Sequence, residues 1–168
     1  LVALLLALLV TSCCFLFLSR RLRPGKAILQ GIKRGEFHVE YQPVIEASSV
    51  KPYGLEALMR WTHPTEGRIP PDAFISYAEG QNLIIPLTCH LFELIARDAH
   101  QLIHAIPRGP KMGVNLSPGH LSSASFRDDV SNWIKAMPQD HFSYVFEITE
   151  RTIVSEQQAP QTFNWIRD

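Results

Sequence analysis

From Gly35 onward, short strand-like runs alternate with longer amphipathic ones, and this alternation restricts the fold more than any other feature of the chain. Phe37 to Ile45 reads as a strand, with Val39, Tyr41, Pro43 and Ile45 on one side and His38, Glu40, Gln42 and Val44 on the other. Gly54 to Trp61 reads as a second strand. The polar stretch Glu46 to Pro52 between them has the length of a turn, so the two should form an antiparallel hairpin. Pro71 to Glu79 reads as a short helix opened by Pro70-Pro71. Leu83 to Ile106 reads as a long helical segment interrupted early by Pro86, with Leu87, Leu91, Leu94, Ile95, Leu102 and Ile106 on its apolar side. Lys111 to Leu116 is a third strand. Leu121 to Met137 is a helix capped by Ser122 or Ser123, Phe142 to Ile148 is a fourth strand, and Gln158 to Asp168 opens another helix. Strands and helices at this spacing argue for parallel βαβ units. Roughly 130 residues give four strands where a closed eight-stranded barrel takes about 250. The expected class is therefore α/β, the first half of a (β/α)8 barrel.

Residues 1–18, Leu1 to Leu18, carry no charge and are mostly Leu, Val, Ala and Phe. A helix of that length, at about 1.5 Å per residue, just spans a hydrocarbon core of about 30 Å. A signal peptide fits less well, because the basic residues follow the run and no small-residue cleavage site closes it. Arg20, Arg21, Arg23, Lys26, Lys33 and Arg34 precede the first acidic residue, Glu36, which places the following chain on the cytoplasmic side. The expected layout is a transmembrane helix over residues 1–18, a basic juxtamembrane connector over 19–35, and a cytoplasmic domain over 36–168. With no initiator Met, the chain is expected to begin inside a longer protein. Cys13 and Cys14 lie in the apolar run and Cys89 stands alone, with no disulfide or zinc spacing. His100 and His104 share a helix face without a third ligand, which suits surface or packing roles.

The strand ends carry the chemistry. Alternation puts Glu56, Leu58 and Arg60 on one face of the second strand. An ionised Glu in an apolar strand is costly unless paired or bound to a cation. Taken alone, a Glu56–Arg60 ion pair is the simpler account. The third strand ends in Asn115-Leu116-Ser117 and the fourth in Glu147-Ile148-Thr149-Glu150. Glu56, Asn115 and Glu147 together offer two carboxylates and an amide oxygen, a donor set for a hard cation such as Mg2+ or Mn2+. Zinc would ask for His or Cys at these positions.

Further segments fall in a recognisable order: Tyr41-Gln42-Pro43, Glu56-Ala57-Leu58-Met59-Arg60-Trp61, Pro71, Phe74-Ile75, Ala78-Glu79, Asn115-Leu116-Ser117 and Glu147-Ile148-Thr149-Glu150. Over about residues 25–168 the chain resembles the EAL domain of cyclic di-GMP phosphodiesterases. The resemblance implies an EAL-type (β/α)8 barrel and hydrolysis of cyclic di-GMP to linear pGpG by a two-metal mechanism. It implies Glu56, Asn115 and Glu147 as ligands of the first metal, Arg60 at the substrate phosphate, and Gln42 and Leu58 lining the dinucleotide site. Glu150 takes a supporting role beside a catalytic loop. Ser76-Tyr77 departs from the family pattern as a packing variation. The family's Asp-Asp-Phe-Gly loop, and the Lys, Glu and Gln after it, would follow Asp168. The 168-residue polypeptide is thus expected to lack the second-metal ligands and catalytic lysine and to be inactive alone. The alternative is a degenerate EAL domain that binds cyclic di-GMP as a membrane-bound receptor without cleaving it; Glu56, Asn115 and Glu147 argue against it. The expected partners are cyclic di-GMP, the lipid bilayer of a bacterial inner membrane, and a second copy meeting through the EAL domain. No nucleic-acid polymer is expected.

Overall fold

The computed structural model describes residues 24–46, 52–106 and 109–148. Helix α1 (Pro24–Arg34) begins at a proline, whose missing N–H costs nothing at a helix start. Gly35, at φ +68°, ends it in the left-handed conformation that glycine adopts freely. Ile28 of α1 is fully buried, with Ala27 and Ile32 packed beside it. Gly31 makes that approach feasible: a Cβ there would stand 2.9 Å from Phe37 Cε2.

Strands β1 (Phe37–Ile45) and β2 (Pro52–His63) form the antiparallel hairpin that their pattern and short connection predict. The chain then folds back into β3 (Gly67–Ile69), which pairs antiparallel with β2. Three residues are too few to show a period, so only Pro64 and Gly67, the latter at φ +73°, mark this turn in the sequence. The remaining elements are α2 (Pro71–Gly80), α3 (Ile84–Leu102), β4 (Lys111–Leu116), α4 (Pro118–Leu121), α5 (Phe126–Ala136) and β5 (Ser143–Ile148). The sheet is mixed, in the order β1-β2-β4-β5, with β2, β4 and β5 parallel. Gly54 admits the close approach of β4, since a Cβ there would lie 2.8 Å from the Lys111 carbonyl oxygen.

Two helical expectations are corrected. Pro86 does not interrupt α3: it is the third residue of the helix, inside the first turn, where the backbone N–H has no intrahelical partner to lose. The helix expected over Leu121 to Met137 is two helices. Pro118 starts α4, which the Ser117 hydroxyl caps by accepting from Gly119 N at 3.3 Å, while α5, the longer part, has Ser125 and not Ser122 or Ser123 at its N-cap, without a side-chain cap bond. Ser122 Oγ instead donates back to the Pro118 carbonyl at 2.8 Å. Local bonds of this kind let serine-rich stretches leave the helix, and α5 resumes at Phe126.

One face of the sheet meets the helices. Phe37, Ala57, Met59, Trp61, Met112, Val114 and Leu116 lie buried there with Phe74, Leu87, Leu91, Phe92, Ile95, Val130 and Trp133. Phe37 stacks on Trp61 at 5.0 Å, and Phe74 meets both edge-on at 5.7 and 5.9 Å. Trp61 Nε1 donates to Glu36 at 3.0 Å, so the indole is satisfied at the edge of this cluster. Among the described residues no helix is long and apolar enough to cross a membrane. The apolar run 1–18, the expected helix over Gln158 to Asp168, and Glu150 lie outside the described residues.

Candidate metal and ligand site

Because the helix-facing positions alternate with the others, the opposite face of the sheet collects the polar residues. Register fixes which of them meet. Gln42 pairs with Glu56 across the hairpin, Glu56 with Gly113 across the parallel ladder, and Asn115 with Glu147 on the next pair. Directly paired residues project to the same side. Gln42, Glu56, Leu58, Arg60, Asn115 and Glu147 therefore share one face, and the structure brings together the three oxygen donors picked out from the sequence. Their placement along the strands differs in one respect. Glu56 is not at the end of β2, which continues to His63; it lies near the end of the stretch of β2 that pairs with β4.

Asn115 Nδ2 donates to Glu56 Oε1 at 2.6 Å. Glu147 reaches over Gly113, whose missing Cβ would lie 3.3 Å from Glu147 Oε1. Glu147 is exposed as a residue, but partial desolvation of its carboxyl raises its pKa, and the negative charge of Glu56 adds to the effect. Two mutually repelling carboxylates beside an amide, over a glycine floor, suit a hard divalent cation in donor type and in charge. The amide is a donor in this arrangement, and turned over it would present its oxygen.

The Glu56–Arg60 ion pair does not form. Residues four apart on a strand stand roughly 13 Å from one another, beyond salt-bridge reach. Arg60 instead pairs across the hairpin, its Nε donating to Glu40 Oε2 at 2.7 Å, while Arg68 from β3 holds the other oxygen of Glu40. Half-buried Leu58 lies between Glu56 and Arg60, opposite Glu40. A second polar tie fixes the loop after β4: Ser117 Oγ donates to Glu79 Oε1 at 2.6 Å, joining the Asn115-Leu116-Ser117 and Ala78-Glu79 segments. A cavity of about 280 Å³ opens beside this tie, lined by Glu79, Asn82, Ile84, Ile85, Pro118 and Gly119.

Gly113, Arg68 and the Ser117–Glu79 link join the site through register and tertiary contact, which no pattern along the sequence marks. Glu40 was on the correct strand face in the alternation, but its partner emerges only from the hairpin register.

The EAL domain family matches residues 26–168. Over 153 residues the chain is 50% identical to "Probable cyclic di-GMP phosphodiesterase PdeN" of Escherichia coli (strain K12), a match covering 91% of this chain and 30% of that protein. It is 35% identical over 126 residues to "Cyclic di-GMP phosphodiesterase PdeL" of the same organism, covering 75% of this chain and 35% of PdeL. The chain thus spans about a third of the length of these curated relatives. Among solved structures, the PaMucR phosphodiesterase in complex with c-di-GMP superposes with a TM-score of 0.73 at 26% identity, covering 87% of this chain and 60% of that one.

Proposed function

The chain belongs to the EAL domain family, and on that premise we propose that the intact protein hydrolyses cyclic di-GMP to pGpG, with Glu56, Asn115 and Glu147 holding a divalent cation, Mg2+ or Mn2+. The carrying observation is the convergence of these donors from β2, β4 and β5 on one sheet face, with the pKa of Glu147 raised by partial desolvation and by the charge of Glu56. The names of PdeN and PdeL, and the c-di-GMP complex of PaMucR, support the substrate.

The chain's own residues divide the work by charge. Glu56 and Glu147 bind the cation, and Asn115 completes the oxygen set. Arg60 presents a guanidinium to the substrate phosphate, its plane held by Glu40 at 2.7 Å. Gln42 and Leu58 line the dinucleotide on the Glu56 side of that contact. Glu150, outside the described residues, takes the supporting role beside a catalytic loop. When bound, the metal supplies Lewis-acid polarisation of the phosphodiester and lowers the pKa of a coordinated water. In the overall reaction water adds to phosphorus, the bond to the 3′ oxygen breaks, and that oxygen leaves protonated.

The wider layout belongs to the same proposal. Residues 36–168 supply the N-terminal strands of an EAL barrel, residues 19–35 connect it to the membrane, and residues 1–18 cross a bacterial inner membrane with the domain in the cytoplasm. A second copy meets it through the EAL domain.

The test is pGpG release from cyclic di-GMP by the whole protein with Mg2+ or Mn2+, compared with Glu56→Gln. Turnover that requires the metal and is lost in the variant is the expected result. Turnover that persists in Glu56→Gln would refute the metal assignment. Tight, metal-independent binding without turnover would favour a receptor.

A further inference from the structure

On the helical side of the sheet, away from the polar face, three side chains of metal-ligand type converge from three separate helices. Cys89 comes from α3, His120 from α4 and Asp129 from α5, and their ligand atoms all lie within 4.8 Å of one another. His120 is fully buried, and its Nε2 stands 3.0 Å from Asp129 Oδ2. The Cys89 Sγ lies within 4.8 Å of the same carboxylate. No sequence spacing announces this cluster, since 31 and 9 residues separate its members; only the packing of α4 against α3 and α5 assembles it.

We propose that Cys89, His120 and Asp129 bind a single Zn2+ ion. A thiolate, an imidazole and a carboxylate form a donor set that zinc takes readily and that Mg2+ does not favour. With bonds of about 2.0–2.3 Å, ligand atoms around one tetrahedral zinc stand roughly 3.2–3.8 Å apart. The present spread, from 3.0 Å to no more than 4.8 Å, closes to that shell by small side-chain shifts, without moving a helix. The environment favours the same conclusion. Phe92 and Phe126 ring His120, its centroid 6.1 and 5.3 Å from theirs, so polar atoms are held in a largely apolar setting, where a cluster is costly unless fully linked. A cavity of about 200 Å³ adjoins Cys89 and Asp129 and is also lined by Glu93 and Asn132, which leaves a fourth coordination position for water or the Glu93 carboxylate. The ion would join α3 to α5 and fix α4, the helix that follows directly from the strand carrying Asn115.

The experiment uses the full chain, solubilised in detergent, stripped with a chelator and titrated with Zn2+ and with Co2+ as a spectroscopic substitute. Cys13 and Cys14 are replaced by Ser so that thiolate signals report on Cys89. The expected result is one Zn2+ per chain that excess Mg2+ does not displace, with a thiolate-to-cobalt charge-transfer band for Co2+. Cys89→Ser should remove that band and weaken Zn2+ binding at least tenfold, and Asp129→Asn should weaken it similarly. Glu56→Gln, which alters the other site, should leave Zn2+ binding unchanged. A charge-transfer band or zinc affinity unaltered in Cys89→Ser would overturn the proposal, as would displacement of Zn2+ by Mg2+. If the variants misfold, alkylation of Cys89 in the otherwise unmodified chain decides: protection by saturating Zn2+ supports the site, and an unchanged rate refutes it.

Discussion

Gly113→Ala separates the needs of the site from those of the fold. The new Cβ would lie 3.3 Å from Glu147 Oε1, and its next contacts, the Leu55 carbonyl oxygen at 3.5 Å and Glu56 Cα at 3.6 Å, are ordinary van der Waals distances. Only the carboxylate must give way, by a few tenths of an ångström, and it is an exposed group free to move outward. Removing a strand glycine gains about 0.5–1 kcal/mol of backbone entropy, which offsets the slight crowding. Stability should therefore change by less than about 1 kcal/mol. The metal site tolerates less, because ligand distances that hold within about 0.2 Å are what a good site requires. Displacing one of three protein ligands by more than that should weaken Mn2+ binding by about tenfold, or about 1.4 kcal/mol. Thermal denaturation measures the first quantity and calorimetric Mn2+ titration the second. Unchanged Mn2+ affinity in a stably folded variant would show that the space over Gly113 is not needed. A stability loss above about 3 kcal/mol would show that the Cβ strikes something that cannot yield.

The pH dependence of the same site has a definite sign. Glu147 titrates above the usual carboxylate range, so as pH falls through its raised pKa the proton displaces the metal, and Mn2+ affinity should fall by up to about tenfold per pH unit. Without metal the linkage runs the other way. The folded state holds its proton more tightly than the unfolded chain does, so apo stability rises as pH falls from the raised pKa toward the unfolded value. Calorimetry and denaturation from about pH 4 upward, so that the unfolded value of 4.5 is included, check both, and Glu147→Gln should flatten both profiles. Arg60→Lys keeps the charge but loses the fork that spans Glu40 and a phosphate, so cyclic di-GMP affinity should drop by about tenfold or more in equilibrium binding, with little change in melting temperature. Phe74→Ala should cost about 3–5 kcal/mol in chemical denaturation, because Phe74 is buried against both Phe37 and Trp61.

Much of this arrangement could be read before the structure, for identifiable reasons. The β1–β2 hairpin was legible because its alternation runs for several residues on each side of a short polar connection. β4 was legible from end to end, since Pro110 precedes it and the Asn-Leu-Ser segment closes it. The oxygen donors Glu56, Asn115 and Glu147 stood out because a carboxylate or amide interrupts an apolar strand at each place. What was not legible depends on register or on pairing at a distance. Glu40 as the partner of Arg60, and Gly113 as the floor under Glu147, follow from which residues face each other across strands, and no period along one strand encodes that. The break between α4 and α5 depended on Ser122 and Ser123 bonding locally instead of capping a longer helix, a competition that composition leaves open.

The cross-strand pairs also give the polar face a direction. At one end Glu56 has a neutral partner, Asn115, and Glu147 stands close enough for Glu56 to raise its pKa, and among the described residues neither carboxylate is paired with a basic side chain. At the other end Arg60 and Arg68 share the single carboxylate of Glu40, leaving positive charge in excess. Had Arg60 neutralised Glu56 along the strand, neither excess would exist, and the face would have little reason to bind a cation or an anion. The roughly 13 Å between residues four apart on a strand prevents that cancellation. A ligand that is itself anionic and shares a cation with the protein matches both ends at once, its phosphate toward Arg60 and the metal toward Glu56 and Glu147. The geometry of a β-strand thus keeps two opposite charges of one short motif apart, and with them the proposed metal and phosphodiester contacts side by side.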